Sequence, residues 1–227
     1  MKNLFLFLVL MIVPCSLIFA QDKTETVTDV DGNVYKTVTI GTQTWMAENL
    51  KVTKYTNGDP IPNITDGNKW RQQVNDGAYC WYNNDISNKD TYGALYNWYA
   101  VDQQRPDRRL APVGWHVASK EEWQILIDYL GGNDIAGGKL KETGLQHWTL
   151  LNEGATNESG FTAIPGGIRF IGIGTKFTDL GLVSWWWTST DYSLFKSFYV
   201  LTSNGVAKAS ISEINPCNGF AVRCIKD

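Results

Sequence analysis

The sequence predicts an α+β fold: two main helices packed on a mostly antiparallel, twisted sheet, with an N-terminal β-hairpin ahead of them. Three observations lead there. Residues 118–132, "ASKEEWQILIDYLGG", hold a capped amphipathic helix. From Gly160 onward, short β-prone runs alternate with Gly, Asn and Asp. Helical signals therefore come early and strand signals late, the order of an α+β chain and not of an alternating βαβ one.

Residues 1–20, "MKNLFLFLVLMIVPCSLIFA", combine one lysine, an apolar run and small residues near the end. This is the layout of a secretory signal peptide. The run is too short to favour a permanent span, and cleavage is expected after Ala20. Lipidation at Cys15 is the competing reading, for which Ile12-Val13-Pro14 is a poor approach. The remaining 21–227 carry no repeat, charge block or linker and read as a single domain.

That domain opens with Val27, Val34, Tyr35, Val38 and Ile40 flanking Asp31-Gly32-Asn33, a turn between two β-prone runs. Asp29, Asp31 and Asn33 suggest a calcium loop, but the glycine at position six and glutamate at twelve are missing. A helix is expected over 92–101, where Tyr92, Leu95, Tyr96 and Tyr99 share a face, although Gly93 weakens its start. In the mid-chain helix, Ser119 and Glu122 have capping-box spacing. There Trp123, Leu126, Ile127 and Leu130 fall on one face, and Gly131 is the stop. A short third helix is expected over 135–142.

"SGFTAIPGGIRF", "LVSWWWTST", "LFKSFYVLTSNGVAKASIS" and "GFAVRCI" read as strands, with Ser203-Asn204-Gly205 as a hairpin turn. In the tryptophan run, strand alternation puts Trp185 and Trp187 on one face and Trp186 on the other. At least one face is expected to be core. The other is either covered by the helices or open as a stacking surface. The indole-rich side of the late sheet is expected to close a single hydrophobic interior.

Without Lys2, 19 basic residues face 23 acidic ones. Such a balance offers no footprint for nucleic acid or an anionic membrane, and no second run is long enough to span a bilayer. Cys80, Cys217 and Cys224 allow at most one disulfide and one leftover thiol in an oxidising compartment. Cys217 and Cys224 can meet only if Asn218-Gly219 turns the chain; a bridge from Cys80 to either is the other possibility. His116 and His147, the only histidines, lack zinc-ligand spacing, so neither metal nor cofactor is expected. Ser189, Asp191 and His116 can be drawn as a triad, but no G-x-S-x-G elbow supports it. "IPGGIRFIGIGTKF" fits neither the P-loop nor the dinucleotide pattern.

"VYKTVTIGTQTWMAENLKV", "YGALYNWYAV", "LAPVGWHVASKEEWQILIDYLGG", "AGGKLKETGLQHW", "SGFTAIPGGIR", "WWWTST" and "GFAVRCIKD" occur in this order. In that order they resemble the Fibrobacter succinogenes major paralogous domain family, over nearly the whole chain after residue 20. The resemblance implies an exported or surface protein of bacteria. A weaker similarity extends to the formylglycine-generating, sulfatase-modifying enzymes and their C-type-lectin-like fold, and implies that fold here. The oxidase chemistry is not carried over, because no cysteine lies between Trp187 and Pro216. Many relatives have a cysteine where this chain has Ala111; if that cysteine bridges the last strand, Cys224 has lost its partner. "QRPDR" at 104–108 is superficially similar to a lectin calcium motif but lies in the wrong part of that fold, so no calcium is expected.

The leading functional expectation is an exported, non-catalytic, C-type-lectin-like binding module presenting loops between the late strands to a glycan, peptide or protein. Its expected contact residues are Trp185, Trp186, Asp191, Tyr192 and Arg169. The competing structural roles are packing for the tryptophans, a turn cap for Asp191 and an internal ion pair for Arg169. The alternatives are a diverged oxidase or other enzyme with a deep polar pocket, and a purely structural surface protein.

Overall fold

Asp29 builds the first turn from its own side chain. Its carboxylate accepts the backbone N–H groups of Asp31 and Asn33, each at 2.9 Å, and the Tyr35 hydroxyl at 2.6 Å. These bonds close the expected hairpin between β1 (Thr26–Thr28) and β2 (Val34–Ile40), in the register Thr28↔Val34. The structure is a computed structural model and describes residues 25–102, 106–172, 174–193 and 195–227. The expected signal peptide, Ala20 and Cys15 lie outside the described residues, as does the Tyr192 side chain.

The chain continues through β3 (Gln43–Met46), α1 (Gly67–Arg71) and β4 (Tyr79–Cys80). Next come α2 (Lys89–Tyr92), β5 (Leu95–Tyr96), α3 (Trp98–Val101) and β6 (Trp115–Val117). The two longest helices follow, α4 (Lys120–Tyr129) and α5 (Asn133–Leu140). Last are β7 (Gly166–Phe170), β8 (Lys176–Leu180), β9 (Val183–Ser193), β10 (Lys196–Ser203), β11 (Ala209–Ile214) and β12 (Cys224–Lys226). The fold is mixed α and β, and the strand ladders are antiparallel.

Helix α4 forms as its local code dictates. The Ser119 hydroxyl accepts the Glu122 N–H while the Glu122 carboxylate accepts the Ser119 N–H, and Trp123, Leu126 and Ile127 are buried. Helix α5 covers most of the expected 135–142 segment. The expected helix over 92–101 does not form. Gly93 at φ +75° ends α2, Leu95 and Tyr96 pair with Cys80 and Tyr79, and Asn97 caps the separate turn α3. The aromatic spacing matched a helix, but the pairing with β4 wins.

The expectation of a late sheet also needs correction. The largest sheet has the order β1-β2-β3-β12-β6, so the final strand lies between early ones. Strands β11-β10-β9 form a second, three-stranded sheet. Strand β9 places Trp186 in one apolar cluster with Trp45, Trp123 and Phe161, and Trp187 in another with Tyr96, Trp98 and Phe220. The expected alternation holds, but the single interior is replaced by two clusters on opposite sides of β9. Neither side of the WWW run is left open as a broad platform.

Arg223, Lys141 and Arg169 are buried without a carboxylate bond among the described residues. Arg223 donates to Asn49 Oδ1 and to the carbonyls of Met46, Phe161 and Thr162 at 2.7–3.1 Å. Lys141 Nζ donates to the carbonyls of Glu153, Ser203 and Val206, and burial draws its pKa down to about 8. Each cation therefore ties together segments distant in sequence through bonds to their backbone carbonyls.

Packing between α5 and the β10–β11 turn is close enough to test. A Cβ on Gly137 would stand 2.2 Å from the Lys208 carbonyl oxygen. Gly137→Ala should destabilise the protein by about 1–3 kcal/mol, although alanine is the better helix former by about 1 kcal/mol. Urea unfolding midpoints of the two proteins check this; a stabilised variant would contradict the close approach.

Candidate functional site

The residues singled out from the sequence are not brought together. Trp186 is 1% exposed, and its indole N–H donates to Asn49 Oδ1 at 2.9 Å. It has no surface for a ligand. Trp185 is half-buried, packed on Tyr199 and Phe220 at centroid distances of 5.1 and 5.3 Å. Asp191 is exposed near the tip of the β9–β10 hairpin. Arg169, expected as a contact or an internal ion pair, is instead buried. It donates to the carbonyls of Ile64 and Thr65 and lies 4.3 Å from the Trp70 ring centroid. Its charge is spent inside the fold.

The expected disulfide is not formed. Cys80, Cys217 and Cys224 are free and buried. Cys80 packs with Trp70 and Leu95, whereas Cys224 belongs to the cluster of Trp187 and Phe220. Burial pushes the Cys80 thiol up to about 11 and raises the other two as well. A thiolate is the reactive form, so all three should resist Ellman's reagent in the native protein. All three should react once it is unfolded, whether or not reductant is added; fast labelling of the native protein would count against this burial.

A recess forms where β6 meets the end of β12. The pairing Ile225↔His116 and Lys226↔Trp115, with the Asp227 N–H donating to the Gly114 carbonyl at 3.0 Å, sets Asp227 beside His116. The segment 108–111 passes across, fixed where the Arg109 carbonyl accepts the Thr56 N–H at 2.9 Å. The result is a cavity of about 240 Å³. Buried Val101, Leu110, Trp115 and Val117 make its apolar floor. Asp102, Arg108, Arg109, His116 and Asp227 stand around it. Arg108 also lines a second, more open cavity of about 380 Å³ beside Tyr55, Pro60 and Pro62.

His116 is held at both nitrogens, Nδ1 to Asp227 Oδ1 and Nε2 to Glu122 Oε1, each at 2.7 Å. The hydrogen bond to Glu122, joined by that to Asp227, outweighs partial burial and raises its pKa. Burial pushes Glu122 up, but the bonds from His116 and Ser119 outweigh it and its pKa falls. The clamp therefore joins the cap of α4 to Asp227. Because the folded pKa of His116 is raised, its contribution is complete below the free imidazole value of about 6.5 and fades as pH rises through the folded value. Between pH 6 and 9 the wild-type urea midpoint should fall relative to that of His116→Asn, and parallel profiles would refute the clamp.

Both His116 nitrogens are bonded to carboxylates, and neither to Ser189. Among the described residues no three His, Cys, Asp or Glu side chains group as a metal site, and no helix is long and apolar enough to cross a membrane. The sequence reading missed the recess. Its one local signal was the basic "DRR" at 107–109 before apolar Leu110-Ala111, in a chain that is acidic overall.

Fold and site together define a mixed α/β domain of antiparallel strands and few helices, with a small, charged-rim recess at the junction of its middle and final strands. The chain belongs to the Fibrobacter succinogenes major domain family, whose sequence model matches residues 38–226. No curated protein and no protein of solved structure matches it.

Proposed function

We propose that the chain is an exported, non-catalytic binding module with a C-type-lectin-like core, and that the recess over Trp115 seats one residue of a glycan or peptide. The observation that carries this reading is the pairing of an apolar floor with a charged rim whose one imidazole has no nitrogen left for proton transfer. A cavity of about 240 Å³ is smaller than the usual small-molecule pocket of roughly 300–1,000 Å³, which suits a single side chain or sugar ring of a longer ligand. Burial of the three thiols speaks against the diverged thiol oxidase. The leader-like residues 1–20 support export. Glycan and peptide arrays probed with wild type and with the surface variants Arg108→Ala and Arg109→Ala test the proposal. Ligands captured by wild type and weakened at least fivefold in the variants are the expected result. Capture indifferent to both variants would move the site elsewhere, to Trp185 or the Asp191 hairpin.

A second reading, a self-associating structural protein, is favoured by Leu150 and Leu151, which are 77% and 75% exposed. Leu151 has φ +84°, a conformation that costs a bulky residue energy. Sedimentation of wild type and Leu150→Ser/Leu151→Ser separates this reading from the first: a concentration-dependent assembly lost in the variant would support it.

A further inference from the structure

Resting on the reading of the recess as a ligand seat, we infer that what it takes is a carboxylate carried on an apolar body. The floor is hydrocarbon and indole, from Val101, Leu110, Trp115 and Val117, and favours a ligand part without polar groups. The rim decides the rest. Asp227 is committed to His116, at 2.7 Å. Among the described residues Arg108 pairs with Asp59, at 3.7 Å and with both side chains about half exposed. An exposed pair of that length contributes little and exchanges readily for a better partner. Arg109 is exposed on the same rim. Two neighbouring arginines thus line a hydrophobic hollow, with Asp102 beside them and the Asp227 carboxylate already bonded to His116. Guanidinium binds carboxylate through two parallel N–H···O bonds, a geometry that an amide cannot match in charge. A lone apolar ligand would leave the arginines unused, and a larger polyanion would not enter.

The seat is small, so a short aliphatic or aromatic acid is the matched probe. Titration of the ¹⁵N-labelled chain from residue 21 with phenylacetate, 3-methylbutanoate and their neutral amides reads this without any prior ligand. The Trp115 indole N–H and the Val117 and Leu110 amides report occupancy. The acids should shift these signals saturably and bind about tenfold more tightly than their amides. Arg109→Gln and Arg108→Gln, both exposed positions, should each weaken the acids several-fold and leave the amides unchanged. Added salt should weaken the acids alone. If acid and amide shift the same signals equally, the carboxylate inference falls and the seat stands. Acids that bind with unchanged affinity in both arginine variants overturn it too. If neither probe class moves these signals, the seat itself falls with it.

Discussion

Replacing Arg223 by alanine is expected to leave little or no folded protein. The side chain is 0% exposed and sits with its guanidinium 4.4 Å from the Phe161 ring centroid. Four acceptors on two stretches of chain, at Met46 and Asn49 and at Phe161-Thr162, take its hydrogen bonds. Removal takes these bonds from the three carbonyls, leaves Asn49 Oδ1 with the Trp186 indole alone, and opens a cavity between the strands. Losses on breaking buried polar networks run at about 3–5 kcal/mol, a large share of the roughly 5–15 kcal/mol that holds a domain. Arg223→Lys should be milder but still costly, because one ammonium cannot reproduce the planar fork. Urea unfolding followed by tryptophan fluorescence measures both, and an alanine variant within about 1 kcal/mol of wild type would show that the network contributes nothing.

Trp186→Ala is expected to cost about 3–5 kcal/mol. The indole packs against Trp123 and Phe161 at centroid distances of 5.4 and 5.8 Å, and the substitution also removes one of the two donors to Asn49 Oδ1. Trp185→Ala, at a half-buried ring, should cost about half as much, since the loss follows the apolar area removed. The ratio matters more than either value. A ligand platform at Trp186 would instead give a variant of nearly unchanged stability and lost binding. Thermal melts of both variants decide between the two, provided circular dichroism shows the same secondary structure.

What could be read from the sequence was what is locally encoded. The α4 cap, its buried face and the Asp29–Asn33 turn each depend on residues within a few positions of one another. The alternation of the three tryptophans was also legible, because strand geometry alone sets it. Gly93 held the warning about residues 92–101, but the partner that claims Leu95 and Tyr96 is β4, and no local pattern names a strand's partner. The place of β12 between β3 and β6 was hidden for the same reason. So was the recess, whose walls come from α3, the 108–111 segment, β6 and Asp227. The ionic expectation for Arg169 failed because backbone carbonyls, which leave no trace in composition, serve as its partners.

The main sheet closes through Ile225 opposite Trp45, a contact spanning about 180 residues, and such long-range pairing slows folding. A ribosome must therefore finish residues 224–226 before the strand that joins β3 to β6 exists, and until then those two have a gap between them. The five-stranded sheet is thus sealed by nearly the last residues to be made, while the β9–β11 sheet, which does not include β12, can pair before it.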